Sequence, residues 1–479
     1  MRRGRPRLPS LPHQLAGTRF LRENKRAALF DEQGLGKSKQ LIDAIAAEID
    51  AKAIGGALII CPNGLKSNWA DEVERFSSLP YAVFGSGRKA RRVAFRSLRA
   101  AFYIINYEAV AAELPSLRAL LRFKPMGLVL DESHRIKTPG SKVTRAVLQL
   151  RSEARRRYLL TGTPVANKPE DLWSQVFFLD DGERLGATFE QFQAKYCDGA
   201  GGYQSVEELR ERVADLALRR TKGEALKLPT KRFQRLGVAL APIQEALYEQ
   251  MRNELAIWVR SLSGEQVRKE GEAILARMVR LAQLASNPAL LDVSYHETPA
   301  KFAALDALLA SYAEEQDRKV IVWTSFVGNV RALAARYPQL APVMLYGEQD
   351  TDERDLSVRS FRQDAQVRLL VANPAAAREG LTLTEANVAI YVDRTFNLVD
   401  YLQSQDRIHR ISQKRDCDIV LLIANTTVDE FIDYSLEQKH RLAKFTQRDA
   451  DKISLDDLAL RKPDVLRALI NPRDAAGSE

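Results

Sequence analysis

The chain has 479 residues, of which 45% are hydrophobic and 28% charged. That is an ordinary globular composition, too long for one core, and two or three domains are expected at roughly 100–200 residues each. No apolar run approaches the roughly 18 residues that span a bilayer, and 72 basic against 62 acidic residues leave +10, a moderate bias toward polyanionic partners.

In chain order, Met1-Arg2-Arg3-Gly4-Arg5-Pro6-Arg7 lacks the apolar stretch of a secretory signal and reads as a basic tail over 1–10. Leu11-Pro12-His13-Gln14 precedes the first strand, and the Gln14 amide could read an adenine edge. A short apolar run, 27–30, then meets Asp31-Glu32-Gln33-Gly34-Leu35-Gly36-Lys37-Ser38, followed by helical spacing from Leu41 to Ala47. A strand turning tightly into a helix suits an anion, because backbone N–H groups crowd the helix start. Gly34 and Gly36 would let phosphate approach, Lys37 would add a charge, and Ser38 would offer a hydroxyl to Mg²⁺. The strict phosphate-loop pattern has Gly six residues before the lysine, where this chain has Asp31. With a strand before and a helix after, nucleotide binding is the reading favoured, and a glycine-rich turn with a solvated lysine is the alternative.

Gly56 to Pro62 reads as a buried strand and turn, Leu65 to Val73 as a helix, and Phe102 to Asn106 as another strand. Arg88, Lys89, Arg91, Arg92 and Arg96 form a basic patch, most simply a solvated face. Gly127 to His134 places Asp131 and Glu132 at the carboxyl end of an apolar strand, the edge where open parallel sheets bind ligands. Adjacent carboxylates can divide labour, one holding Mg²⁺ and the next orienting or deprotonating water. An acid-rich helix start is the alternative. Tyr158 to Pro164 is a further strand and turn whose hydroxyls could couple the nucleotide to a second site. Strands alternating with helices imply a doubly wound parallel sheet.

From about Glu170 to Lys301 the chain is helix-rich, with periodic segments at 243–262 and 273–284, and reads as helical insertions plus a linker. Strand signals resume at 319–326 and recur at 343–346, 367–371, 388–392 and 419–423. On a continuous helix Gln403, Arg407 and Arg410 share one face. Guanidinium groups from a second domain could neutralise a γ-phosphate in the transition state; the alternative is an exposed face with Asp406 paired to Arg410. Cys61, Cys197 and Cys417, like the five histidines, are dispersed, which fits a reducing cytosol better than a disulfide or metal framework.

The order of these motifs resembles the superfamily 2 helicase-related ATPases, and within them the Snf2 family of double-stranded DNA translocases, from about Leu11 to Lys439. Pro12-His13-Gln14 resembles the adenine motif, Asp31–Ser38 motif I, Ile60-Cys61-Pro62 motif Ia, and Ile105-Asn106-Tyr107-Glu108 motif Ib. Asp131-Glu132-Ser133-His134 resembles motif II, Leu160–Pro164 motif III, Trp323-Thr324-Ser325-Phe326 motif IV, Gly380–Thr384 motif V, and Gln403–Gln413 motif VI. Leu218-Arg219-Arg220-Thr221-Lys222, then Leu228-Pro229-Thr230-Lys231, is similar to the family's link between lobes. Ser133 stands where alanine is usual, as in the fork-remodelling, strand-annealing branch, and motif V opens on Asn373-Pro374-Ala375-Ala376-Ala377 instead of a basic, glycine-rich start.

The resemblance implies an α/β fold of two RecA-like lobes with parallel sheets and helical insertions around the linker. Lobe 1 is expected over 11–225, insertion and linker over 226–300, lobe 2 over 301–449 and a tail over 450–479. It implies ATP and Mg²⁺ between the lobes, held by Gln14, Gly34, Gly36, Lys37, Ser38 and Asp131, with Glu132 on the water and Gln403, Arg407 and Arg410 completing the site. Nucleic-acid contacts fall to Pro62, Asn63, Lys66, Asn106, Tyr107, Thr324, Ser325 and Thr382. The activity implied is ATP-driven tracking on double-stranded or forked DNA without sequence preference. A strand-separating helicase and a non-catalytic nucleic-acid-binding scaffold are the alternatives. No chromodomain, bromodomain or zinc module is recognisable, so a minimal cytoplasmic motor of bacterial or phage type, monomeric by default, is expected. Repair, fork remodelling, transcription-complex displacement and phage replication stay open as pathways.

Overall fold

The structure, a computed structural model, describes residues 8–85, 99–165, 168–197, 203–263, 266, 269–313, 318–378, 381–447 and 449. The N-terminal basic tail up to Arg7, the Arg88–Arg96 patch, Gly380 and the tail from 450 lie outside the described residues. Described residues of 8–227 and 441–449 form one compact unit, and those of 228–440 another.

The first unit is built on a seven-stranded sheet, β1 (Arg26–Leu29), β2 (Gly56–Cys61), β3 (Tyr81–Val83), β4 (Phe102–Asn106), β5 (Met126–Asp131), β6 (Arg156–Leu160) and β7 (Ala217–Leu218). Its order is β3-β4-β2-β5-β6-β1-β7, with every pairing parallel. Parallel strands need crossovers, which bury both sheet faces, and this is why β2 and β5 read as continuous apolar runs. All six residues of β2 are buried. Alternate residues such as Ala57, Ile59 and Cys61 pack with helices α1 (Pro12–Glu23), α2 (Lys37–Asp50) and α3 (Lys66–Phe76). Helix α4 (Tyr107–Phe123) follows β4, and α5 (Trp173–Asp180) follows β6.

The second unit carries six parallel strands in the order β10-β11-β9-β12-β13-β8. They are β8 (Lys231–Val238), β9 (Lys319–Trp323), β10 (Val343–Leu345), β11 (Leu369–Ala372), β12 (Ala386–Tyr391) and β13 (Cys417–Ala424). Two cores form because side chains alternate across the pleat: Ile321 and Trp323 face one, Val320 and Val322 the other. Helices α6 (Pro242–Ser261) and α7 (Gly271–Ser286) precede β9.

The strands expected at 27–30, 56–61, 102–106, 127–131, 158–160 and in the second α/β stretch are present, as are both middle helices. The stretch read as helical insertion and linker requires a correction, since β8 lies within it and pairs along its length with β13. Its signal was weak because an edge strand exposes most of its residues, here Arg232, Phe233, Gln234 and Arg235. Strands β3 and β7, three and two residues long, were also missed. Gln14, in the segment preceding the first strand, lies on α1.

Candidate nucleotide site

The turn from β1 into α2 is shaped by Gly34 (φ 88°) and Gly36 (φ 73°), both left-handed, and Gly36 caps α2. A Cβ on Gly36 would collide with the Gln14 amide, so the adenine-motif glutamine lies directly against the phosphate loop. Gln14 Oε1 accepts from Leu11 N at 3.0 Å, and His13 Nε2 lies 3.0 Å from Leu35 O. Lys37 and Ser38 occupy the first turn of α2. The Lys37 ammonium donates to Asp31 O at 2.8 Å and to Glu32 O at 3.4 Å. Burial lowers its pKa, opposed by the charges of Glu132, Asp31 and Asp131, which are therefore its neighbours.

Asp131 ends β5 with both oxygens engaged: Trp69 Nε1 donates to Oδ2 at 2.8 Å and Glu132 N to Oδ1 at 3.0 Å. Burial, then the Glu132 charge, pushes its pKa up to about 7. Glu132 is itself left-handed at φ 49°, a strained conformation for a non-glycine residue. Its carboxylate faces Gln33 Nε2 at 3.5 Å, Thr161 Oγ1 at 3.4 Å and His134 Nδ1 at 3.3 Å. Ser133 is buried and donates to Gln175 Oε1 at 2.6 Å, while Gln175 Nε2 donates to Pro164 O at 2.8 Å, which ties motif II to the turn after β6.

Asp31, the departure from the strict loop pattern, is fully buried. Both its oxygens are held by Arg220, Nε reaching Oδ1 at 3.0 Å, and Gln40 Nε2 donates to Oδ2 at 3.1 Å. Arg220 also donates to His13 O and to Gln40 Oε1, so one guanidinium joins adenine motif, phosphate loop and α2. Sequence reasoning noted Arg220 only as part of the linker. Nothing in local spacing brings positions 31 and 220 together.

Of the expected nucleic-acid contacts in this unit, Asn63 is exposed and Pro62 and Lys66 are half-buried at the carboxyl end of β2. Lys66 Nζ donates to Phe84 O at 3.1 Å, and Asn106 Nδ2 to Glu108 Oε2 at 2.8 Å. Tyr107 is buried, and its hydroxyl donates to Asp131 O at 2.7 Å, propping the carboxylate-bearing strand.

In the second unit the expected helix through Arg410 is corrected. Helix α8 (Leu398–Gln405) ends at Gln405, and 406–412 continue as turns. Gln403 and Arg407 are buried; Arg407 Nε donates to Gln403 O at 2.9 Å and Nη1 to Leu381 O at 3.0 Å. Arg410 is half-exposed, its Nε donating to Asp406 O at 3.0 Å and Nη1 to Thr382 Oγ1 at 2.8 Å. Thr324 is buried and donates to Asp393 Oδ2 at 2.7 Å, while Ser325 N donates to Asp393 Oδ1 at 2.6 Å. Asn373, at the start of the divergent motif V, donates through Nδ2 to Ser325 O at 2.8 Å.

Two parallel RecA-like lobes, the first with a glycine phosphate loop beside paired carboxylates, define a helicase-like nucleotide-binding protein. The chain belongs to the SNF2-related family: the SNF2-related domain matches residues 13–290, and a helicase conserved C-terminal domain matches 300–412. It is 28% identical over 455 residues to chromodomain-helicase-DNA-binding protein 1-like of Danio rerio, covering 90% of this chain and 43% of that protein. It is 27% identical over 446 residues to an uncharacterized ATP-dependent helicase of Mycoplasma pneumoniae, covering 91% and 42%. The chain thus spans less than half the length of these two relatives. The SWI2/SNF2 ATPase core of Sulfolobus solfataricus in complex with dsDNA is 26% identical, with 96% of this chain and 99% of that one covered and a TM-score of 0.45.

Proposed function

We propose that the chain is a DNA-dependent ATPase that tracks on duplex DNA while hydrolysing ATP to ADP and phosphate. The observation that carries this reading is the left-handed glycine turn that opens α2 on Lys37 and Ser38, in the same parallel sheet whose strand β5 ends on Asp131. Membership of the SNF2-related family supports it, as does the ATP-dependent helicase among the relatives. Lys37 and the amides at the start of α2 hold the phosphates, and Gln14 meets the adenine. Asp131 fits an oxygen-seeking cation: two N–H donors orient its carboxylate, and each oxygen keeps a lone pair. With Ser38 it would hold Mg²⁺ through the nucleotide, and the ion would neutralise charge developing on the phosphates. Glu132 orients and deprotonates the attacking water. Arg407 and Arg410, from the second lobe, complete the site on closure, which ties hydrolysis to lobe motion. Phosphate contacts make DNA recognition sequence-independent.

The first test is ATP turnover with and without duplex DNA. Stimulation by duplex is expected, and Lys37→Ala should abolish turnover while leaving DNA binding largely intact. Equal turnover in that variant rejects the site assignment.

A further inference from the structure

Two consecutive arginines after β7 brace the back of the phosphate loop, and they do so differently. Arg220 is held by partners around the loop itself. Arg219 divides its guanidinium between two regions of the chain. Nη1 donates to Phe30 O at 2.5 Å and faces Gly162 O at 3.4 Å, the carbonyls just before Asp31 and Thr163. The other edge is directed at Asp449, 230 positions further on, with Nε 3.1 and 3.2 Å from its oxygens and Nη2 at 2.6 Å. The two side chains are only 15% and 11% exposed, so this is a largely desolvated, forked ion pair.

Asp449 is delivered by a seated segment. Helix α9 (Val428–Thr446) ends just before it, and Asp449 N donates to Lys444 O at 2.8 Å. Leu442 and Phe445 are buried in a small cluster with Val206. The Arg210 guanidinium lies 5.0 Å from the centre of the Phe445 ring. Thr446 and Gln447 share the wall of a cavity of about 40 Å³ with Phe30, Pro164 and Arg219, so the segment and the base of the loop border one space.

The geometry points to Asp449 as a remote positioning residue of the nucleotide site, with residues 441–447 and Asp449 acting as a strap whose seating and nucleotide binding strengthen one another. The inference rests on the nucleotide reading above. Arg219 fixes the carbonyl on which the loop begins, and its charge also acts on the Lys37 ammonium. Without Asp449 the guanidinium loses the partner that fixes its fork, and the loop's entry loses a fixed donor. Two sites that bias one element are linked reciprocally, so nucleotide must hold the strap as much as the strap holds nucleotide.

Hydrogen exchange and binding of a fluorescent ATP analogue with Mg²⁺, both on the full chain, test this. Peptides covering 441–449 should exchange more slowly with the analogue bound. Asp449→Asn should weaken analogue binding roughly fivefold or more and remove that protection. Arg219→Lys should act similarly, and the double variant should be no worse than the weaker single one, because both changes break the same contact. Leu442→Ala, which loosens the strap without touching the ion pair, should weaken binding in the same direction. Wild-type affinity in Asp449→Asn, or exchange in 441–449 indifferent to the analogue, overturns the inference. A lowered melting temperature with unchanged affinity and protection overturns it too, since that is an ordinary structural ion pair. Failure of the unmodified chain to bind the analogue overturns the nucleotide reading and this inference together.

Discussion

At the scale of single residues, the two carboxylates of motif II are adjacent in sequence yet held in different ways. Asp131 is fixed by Trp69 and a main-chain N–H, whereas Glu132 sits in a strained left-handed conformation and turns its carboxylate toward Gln33, Thr161 and His134. Two neighbouring carboxylates with different partners and different backbone conformations suit divided roles. Glu132→Gln should keep nucleotide binding and lower turnover about 10²- to 10⁴-fold, measured as kcat under saturating ATP. Asp131→Asn isolates the burial cost. The Asp131 pKa is raised from 3.8 to about 7, so between those values the folded state binds more protons than the unfolded one. That favourable contribution is complete below pH 3.8 and is lost as pH rises through about 7. The asparagine variant, nucleotide-free and in a chelator, should therefore gain stability over wild type from about pH 4 to about pH 7 and hold that gain above. Scanning calorimetry across pH reads this directly, and a pH-independent difference would refute it.

The two motif VI arginines separate at the same scale. Arg407 is 2% exposed and fastens two main-chain carbonyls. Arg407→Ala should cost about 1–3 kcal/mol of stability through the carbonyls left unpaired, seen by thermal denaturation. Arg410 is half-exposed, and Arg410→Ala should fold normally and lose about 10³-fold or more in kcat. The i, i+4, i+7 spacing could not distinguish them, because α8 stops at Gln405 and the turns beyond reorient the later side chains.

At the scale of elements, the phosphate loop is a turn held from outside. Main-chain N–H groups of Ala28, Phe30 and Glu32 donate to the carbonyls of Leu216, Leu218 and Arg220, extending the β1–β7 ladder along the loop's base. The aspartate at the first loop position, odd by the strict pattern, has its physical reason here: a buried carboxylate paired with Arg220. Breaking one side leaves a buried charge uncompensated. Asp31→Asn or Arg220→Ala alone should each cost about 3–5 kcal/mol, and the two changes together should cost less than their sum. Denaturant melts of the singles and the double decide it.

At the scale of the whole molecule, the proposed motor needs DNA to bind by its backbone. Duplex affinity should fall by roughly three orders of magnitude or more between about 50 and 200 mM salt if about six phosphates are neutralised. Filter binding with unrelated sequences should give one common slope. A forked-duplex assay separates tracking from strand separation, and release of single strands at the rate of ATP turnover would favour the helicase alternative.

The sequence by itself determined the alternation of strands and helices, the glycine turn, the paired carboxylates and the family. These depend on local periodicity and on residue types whose chemistry is legible at short range. Only the tertiary structure decided that Asp31 belongs to Arg220, that Arg219 belongs to Asp449, that Tyr107 props Asp131, and that β8 completes the second sheet. Each joins positions far apart in the chain, and no local pattern encodes which distant partner a buried charge will meet.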